Sequence, residues 1–326
     1  MIDVSVILCT YNRSRSLINA LESIAACSMP ESVQWEVLVI DNNSTDNTRA
    51  VTEKFRSRYA GRFRYIFEQR QGLSQARNTG IREARGKIIA FVDDDVTVGP
   101  RWLEEITSVF HDGEWSGAGG RILPERGFIP PYWLALDGRY SLLGALCAHY
   151  DRGDASGEMK TPAYGANMAF RAEMFEKYGG FRTDLGRSSN DLMSNEDTEF
   201  GRRLIDGGER LRYVASSVVY HAIHEGRVHK GFFLSWWYDF GRARIIELGV
   251  RPKIWGVSRH YISLPNNILR VLPSKALRWL FSFNPQQRFF NKCMTWSTVG
   301  RIVEIWRQSR QPDDAYKMQS ARDALR

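Results

Sequence analysis

The apolar positions of this chain come in short runs that stop abruptly at polar clusters, with helical-period segments between them. Val4 to Cys9 reads as a strand, closed by the turn Thr10-Tyr11-Asn12-Arg13. Asn12 or Ser14 can cap the next helix, whose apolar face is Leu17, Leu21 and Ile24. Trp35 to Ile40 is a second strand. It runs into Asp41-Asn42-Asn43-Ser44-Thr45-Asp46, which is turn chemistry and also a helix start continued by Val51 and Phe55. Phe63 to Phe67 reads as a third strand, Leu73 to Ala84 as a helix closed by Gly86, and Ile88 to Val92 as a fourth strand. Strands alternating with helices of roughly 10–15 residues predict βαβ units and a mostly parallel sheet.

Further along, the pattern predicts a helix over Trp102 to Phe110 and a strand over Gly117 to Leu123. Residues 124–160 are irregular, with paired prolines and aromatics, and read as a loop or flap over a site. Ala163 to Phe170 returns toward the sheet, Glu196 to Ile205 is a short helix, and Arg212 to Tyr220 is strand-like. From about residue 231 the pattern is helical and amphipathic, with Val299, Ile302, Val303 and Trp306 at helical spacing between Arg301 and Arg307. The expected division is therefore an α/β domain over 1–230 and a helical region over 231–326. No internal repeat or low-complexity tract is present.

Composition narrows the class. A chain of 326 residues can hold one large domain, or a domain with a smaller appendage. With 43% hydrophobic and 25% charged residues it is neither disordered nor collagen-like. Met1-Ile2-Asp3 leads directly into a strand pattern without a basic segment, so no signal peptide is expected. No apolar run approaches the roughly 18 residues of a spanning helix. Cys9, Cys27, Cys147 and Cys293 lack metal or redox spacing, which fits reduced cytosolic thiols.

Charge is distributed unevenly. Residues 227–326 carry 18 Lys/Arg against 6 Asp/Glu, whereas residues 1–226 carry 27 against 31. Six of the ten tryptophans also lie beyond position 227, so this third of the chain suits an anionic surface. Cations interleaved with Trp and Phe on amphipathic helices match a membrane interface. The competing account packs Trp236, Trp237, Trp279 and Trp306 on the rest of the chain or on a second subunit. No nucleic-acid-binding module is recognisable, so nucleic acid is not an expected partner.

Candidate chemistry concentrates at Asp93-Asp94-Asp95, directly after the run Ile88 to Val92. A buried strand there would deliver carboxylates to the carboxyl edge of an α/β sheet, where ligands bind. In an extended chain Asp93 and Asp95 point to one side. Together they can share a divalent cation whose other positions take waters and phosphates. A solvated acidic turn is the alternative. Asp41, ending the second strand, could accept from a base N–H, with Thr10 and Asn12 on the same edge. Arg77 could reach ribose or phosphate. Taken singly, a helix-capping turn and a solvated helix face are the favoured accounts of these residues.

As an ordered set these segments resemble the family 2 glycosyltransferases. The resemblance rests on Val6-Ile7-Leu8-Cys9-Thr10-Tyr11-Asn12-Arg13, Val39-Ile40-Asp41-Asn42-Asn43-Ser44-Thr45-Asp46, Gly72-Leu73-Ser74-Gln75-Ala76-Arg77-Asn78-Thr79-Gly80 and Phe91-Val92-Asp93-Asp94-Asp95. It continues less tightly to about residue 240. The family has the GT-A fold and transfers sugars from nucleotide donors with inversion. The resemblance implies a GT-A-like sheet with a basic helical C-terminal extension. It implies a donor site drawn from Thr10, Asn12, Arg13, Asp41, Asn43, Arg77, Asp93 and Asp94, with Asp41 on the nucleobase and Asp93 on ribose or a metal-bound water. Asp95 would ligate Mn²⁺ or Mg²⁺, with the register inside the triplet left open, and an all-oxygen site suits these ions better than zinc. His221, after Val218 to Tyr220, would complete the metal set, with His224 and His229 as competitors. Asp197, in Ser194-Asn195-Glu196-Asp197-Thr198-Glu199-Phe200, would be the base and Glu196 a positioning group. These acids also suit a helix N-terminus on dipole grounds alone. Tyr164 to Arg171 resembles the small-residue stretch that lets backbone approach the donor sugar, and Gly179-Gly180-Phe181 follows as in the family.

The expectation is thus a cytoplasmic, metal-dependent, inverting transferase, with peripheral contact at the membrane left open against packing of the C-terminal helices on the body or a second subunit. It would use a UDP- or GDP-sugar and a glycan or lipid-linked acceptor in polysaccharide or glycoconjugate synthesis. A sugar-nucleotide nucleotidyltransferase would want a Gly-rich, Lys-bearing phosphate loop after the first strand, and Thr10-Tyr11-Asn12-Arg13 has no glycine. A non-catalytic glycan- or membrane-binding member is the other rival.

Overall fold

Strands covered on both faces have no polar side to show, and the first half of this chain is built on such strands. Every residue of Trp35–Asp41 (β2) is buried, as are all but one of Val4–Thr10 (β1) and the centre of Ile88–Asp93 (β4). The computed structural model describes residues 2–187, 192–248 and 264–309. Between these strands lie α1 (Ser14–Ala25), α2 (Thr48–Arg58), β3 (Phe63–Phe67) and α3 (Leu73–Glu83). Then follow β5 (Val96–Val98), α4 (Trp102–Ser108), β6 (Gly117–Pro124), α5 (Leu143–Cys147), β7 (Gly157–Glu158), β8 (Met168–Arg171) and α6 (Glu173–Tyr178). The remaining elements are α7 (Glu196–Asp206), β9 (Leu211–His221), α8 (Lys230–Leu248), α9 (Leu272–Leu280) and α10 (Pro285–Ser309).

The chain divides into two compact units. One holds residues 1–126, 147–181 and 197–222, and the other holds 127–146, 182–196 and 223–326. The first contains the sheet, ordered β3-β2-β1-β4-β8-β6-β9-β5, with β7 on β9. Its β3-β2-β1-β4 half is parallel, and β8 turns the direction by pairing antiparallel with both β4 and β6. This is the α/β architecture expected, with a mixed second half. The stretch 124–160 is less irregular than its sequence suggests, since α5 and β7 fall within it; each is too short to display a period.

Two local features hold the sheet. Glu36 of β2 is buried, yet it accepts from Ser5 Oγ at 2.8 Å and pairs with Arg64 at 2.9 Å, so its charge is compensated. The second lies where β6 and β9 lose register: Gly120 pairs with Val214 but Arg121 with Val218, so three residues of β9 bulge. That bulge frees the Ser217 carbonyl. Asn167, fully buried, donates from Nδ2 to the Ser217 and Arg121 carbonyls at 3.0 Å each and accepts from Trp102 Nε1 at 2.8 Å. One side chain thus satisfies groups from β6, β9 and α4.

The second unit has its own core. Trp133, Phe233 and Phe289 meet with ring centroids 4.8–5.9 Å apart, and Leu134, Leu142, Leu146 and Cys293 close around them. Helices α8 and α10 cross through two glycines. A Cβ at Gly241 would collide with the Ser297 carbonyl, and one at Gly300 with that of Tyr238. Trp236 and Trp237 are partly buried against this core, and Trp236 stacks on Phe240. No helix among the described residues is long and apolar enough to cross a membrane.

Replacing Asn167 by Ala strands the Trp102 N–H and two carbonyls in a dry interior. The expected loss is about 2–4 kcal/mol, read as a lower urea midpoint with an unchanged slope. A midpoint equal to that of the unaltered protein would contradict this account.

Candidate functional site

The carboxyl ends of three neighbouring parallel strands converge. Thr10 lies opposite Asp41, and Cys9 lies opposite Asp93, so β1, β2 and β4 end side by side. The turns that leave β1 and β2 are stitched together. Asn12 and Asn43 adopt left-handed backbone, with φ of 52° and 68°, which asparagine tolerates better than most residues. Asn12 Oδ1 accepts from Thr45 N at 2.7 Å, its own N–H donates to Ser44 Oγ at 2.9 Å, and Ser14 N donates to Asp46 at 2.8 Å. Asn43 itself is exposed.

Asp41 is buried at the end of β2. Its Oδ1 accepts from Ser44 N at 2.8 Å and its Oδ2 from the Tyr65 hydroxyl at 2.7 Å. Burial and the Asp41 carboxylate both hold the Tyr65 phenol well above its ordinary value, so it remains a donor. Each Asp41 oxygen keeps a lone pair for an incoming N–H. Asn42, next in the chain, pins the approach to α3: it donates to the Glu68 and Arg70 carbonyls and accepts from Gly72 N at 2.8 Å.

The triplet splits its carboxylates among different partners. Asp94 and Asp95 both receive Arg13 Nη1, at 3.0 and 2.8 Å. Burial opposes the Arg13 cation, but Asp94, Asp95 and Asp93 outweigh it and hold the guanidinium above its ordinary value. Burial pushes the Asp94 carboxyl up to about 6, against the pull of Arg13 and with Asp95 adding to the rise. Asp93 faces a different cation, Arg77, whose Nη2 lies 3.5 Å away.

Arg77 is only 3% exposed, so it is no solvated helix residue. Its guanidinium stands 5.5 Å over the Phe181 ring, and the bare Cα of Gly165 lies so close that a Cβ there would strike it. Beside it, Asn78 clasps the Phe181 backbone, accepting from its N–H and donating to its carbonyl, each at 2.8 Å. Gly165 N in turn donates to Asp197 Oδ2 at 2.6 Å, in the first turn of α7. An unbroken sequence of contacts therefore runs Asp93–Arg77–Gly165–Asp197. Glu196, at the start of the same helix, is buried.

His221 reaches the triplet through the sheet. The three-residue strand β5 begins directly after Asp95 and pairs antiparallel with β9, setting Val96 opposite His221. Asp93, Asp95 and His221 each offer one ligand atom within 4.8 Å of the others. His221 Nδ1 lies 2.9 Å from the Ala222 carbonyl, a contact that makes Nδ1 the protonated nitrogen. Nε2, the ring nitrogen left for a ligand, lies 3.4 Å from Asp95 Oδ1. Two electron-rich atoms at that separation suit a shared cation, and a backbone-anchored imidazole is the usual arrangement of a metal-bound histidine. Two carboxylates and an imidazole could hold a metal ion. Of the histidines weighed in the sequence, His221 is the one in this cluster.

The structure thus assembles Thr10, Asp41, Arg77, Asp93, Asp94, Asp95, His221, Arg13 and Asp197 within one unit, while Asn12 and Asn43 shape its turns. Sequence reading missed Tyr65, Asn42, Asn78 and Asn167. Only Asn78 carried a usable signal, its place beside Arg77 before Gly80.

A profile described as "Glycosyl transferase family 2" matches residues 5–179. The chain is similar to "Glycosyltransferase AglE" of Haloferax volcanii, at 28% identity over 80% of this chain and 84% of that protein. It is similar to "Glucosyl-dolichyl phosphate glucuronosyltransferase" of the same organism, at 27% identity over 75% of this chain and 77% of that one. Among solved structures, the mannosyltransferase PcManGT of Pyrobaculum calidifontis, in complex with GDP-Man and Mn²⁺, superposes with a TM-score of 0.60. It shares 17% identity over 92% of this chain and 86% of that one, a likeness of fold.

Titration with Mn²⁺ followed by the loss of its free electron-resonance signal tests the three-ligand cluster. The unaltered protein is expected to bind one ion. Asp95→Ala should abolish binding, and His221→Ala should weaken it at least about tenfold. Equal affinity in all three proteins would exclude the cluster.

Proposed function

The chain belongs to glycosyl transferase family 2, and from that membership we propose an inverting, metal-dependent transferase that moves a sugar from a nucleotide diphosphate donor to a glycan or lipid-linked acceptor. The observation that carries this reading is the Asp93–Asp95–His221 cluster at the carboxyl edge of β1, β2 and β4. The Pyrobaculum structure, with GDP-Man and Mn²⁺, supports the donor and metal class. The name of the Haloferax glucuronosyltransferase supports a lipid-linked acceptor. A role in polysaccharide or glycoconjugate synthesis follows from such chemistry.

In this reading Asp41 receives a base N–H on the lone pairs that Ser44 and Tyr65 leave open. Asp93 accepts a ribose hydroxyl. Held by Asp95, Asp93 and His221, a Mn²⁺ or Mg²⁺ ion would neutralise charge on the departing diphosphate. Arg13 turns its remaining N–H donors to the phosphate oxygens. The acceptor hydroxyl attacks the anomeric carbon on the face opposite the diphosphate. As the new C–O bond forms, the bond to the diphosphate oxygen breaks, and the hydroxyl proton passes to the Asp197 carboxylate. Gly165 N–H fixes one oxygen of Asp197 and so aims the carboxylate. Gly165 also leaves room for the Arg77 guanidinium, which a side chain there would displace. Glu196 positions acceptor or donor.

A thermal-shift screen of UDP- and GDP-sugars, with and without Mn²⁺, is expected to give a metal-dependent rise for one donor. Silence from every donor would count against the reading. Asp197→Asn should keep that shift while lowering transfer or donor hydrolysis by roughly 10²-fold or more. Turnover undiminished in this variant would remove Asp197 as the base.

A further inference from the structure

The stretch 264–309 carries a surface that suits neither bulk water nor a protein core. A π-helical turn, Asn267–Val271, runs into α9, and together they set Leu269, Pro273, Leu277 and Leu280 at steps of four, four and three. Such steps trace a single helix face. Leu269, Leu277 and Leu280 are 76%, 54% and 57% exposed, and Phe281 and Phe283, just past the helix, are 71% and 95% exposed. The inner side of the same helix is packed. Trp279 meets Trp296 of α10 edge-on at 5.9 Å, and Lys292 Nζ lies 5.1 and 5.4 Å from the two rings. The outward leucines are therefore not a core face turned the wrong way.

Charge identifies the occupant. Residues 264–309 carry Arg270, Lys275, Arg278, Arg288, Lys292, Arg301 and Arg307 against the single acid Glu304. Three of those cations lie on the turn and helix that bear the stripe, where there is no acid. In a symmetric contact with a second copy, the cations Arg270, Lys275 and Arg278 would be brought against the same all-cationic set and repel. Apolar residues with terminal aromatics, bordered by Lys and Arg, match the boundary between acyl chains and anionic headgroups.

We propose that the turn Asn267–Val271, α9 and Phe281–Phe283 form a membrane-docking surface for an anionic phospholipid bilayer. Leu277, Leu280, Phe281 and Phe283 enter the headgroup–acyl boundary, and Arg270, Lys275 and Arg278 meet the headgroup phosphates. This surface is independent of the glycosyl-transfer reading and stands or falls without it.

The test is co-sedimentation of the full chain with phosphatidylcholine vesicles, with or without about 30% phosphatidylglycerol. The unaltered protein is expected to bind the anionic vesicles and to release them as salt rises. Phe281→Asp with Phe283→Asp should lower partitioning at least tenfold while leaving the melting temperature unchanged, since neither ring is packed. Arg270→Gln with Arg278→Gln should cost about fivefold per cation and flatten the salt dependence, which keeps the test open should the aspartates disturb folding. Failure to bind anionic vesicles, or equal binding by both variants, overturns the proposal. A concentration-dependent dimer that the Phe281/Phe283 variant dissolves, without vesicle binding, assigns the face to a second copy instead and overturns it too.

Discussion

A buried guanidinium has to be matched by charge and hydrogen-bond acceptors, and in this molecule that requirement draws the site together around Arg77. Arg77 sits on α3, a helix whose own sequence is unremarkable in its apolar period. Its partner Asp93 comes from the tip of β4, its ceiling is the bare backbone of Gly165, and its flank is the Phe181 ring. Each of these belongs to a different stretch of chain. Gly165 hands the constraint on, because the N–H beside its bare Cα is the one that Asp197 receives. The acid at the sheet edge and the acid on α7 are thereby held by one rigid path rather than by two flexible side chains.

The sequence revealed most where local pattern decides structure. Runs of apolar residues marked β1, β2 and β4 because a doubly covered strand needs no alternation, and the polar residues that end those runs became the site. What stayed hidden was decided by distant chain. Strand β5 has three residues, too few for any period, and exists because β9 lies beside it. Asn167 reads as an ordinary polar residue until the bulge in β9 leaves Ser217 without a strand partner. Residues 127–146 and 182–196 look like insertions in the α/β portion, yet they group with the C-terminal helices through apolar contacts such as Trp133 with Phe289 and Leu185 with Ala243. Asn12 and Asn43 were legible as turn residues, but their left-handed backbone was not.

Electrostatics at the triplet is a balance of near-equals. Three consecutive carboxylates at a sheet edge repel one another, and the protein divides them between two arginines, Arg13 and Arg77, from different stretches of chain. Burial, with Asp95 beside it, raises the Asp94 carboxyl against the pull of Arg13. The basic helical unit solves a different problem, that of bringing two helices into backbone contact, and it does so with glycines, beside the Arg242–Glu304 ion pair that joins the same helices.

The pairing of β5 with β9 gives His221 a property that its chemistry alone would not. Its position beside Asp95 is a matter of counting: Val96 opposite His221, Thr97 opposite Tyr220, Val98 opposite Val219. Side chains alternate faces along a strand, so one residue gained or lost between the bulge and His221 would turn the imidazole to the other side of the sheet. The same slip would exchange the buried positions Ser217, Val219 and His221 for the half-buried Val218 and Tyr220. This stretch of β9 can therefore drift in composition but not in length, and the ruler for the histidine is the backbone.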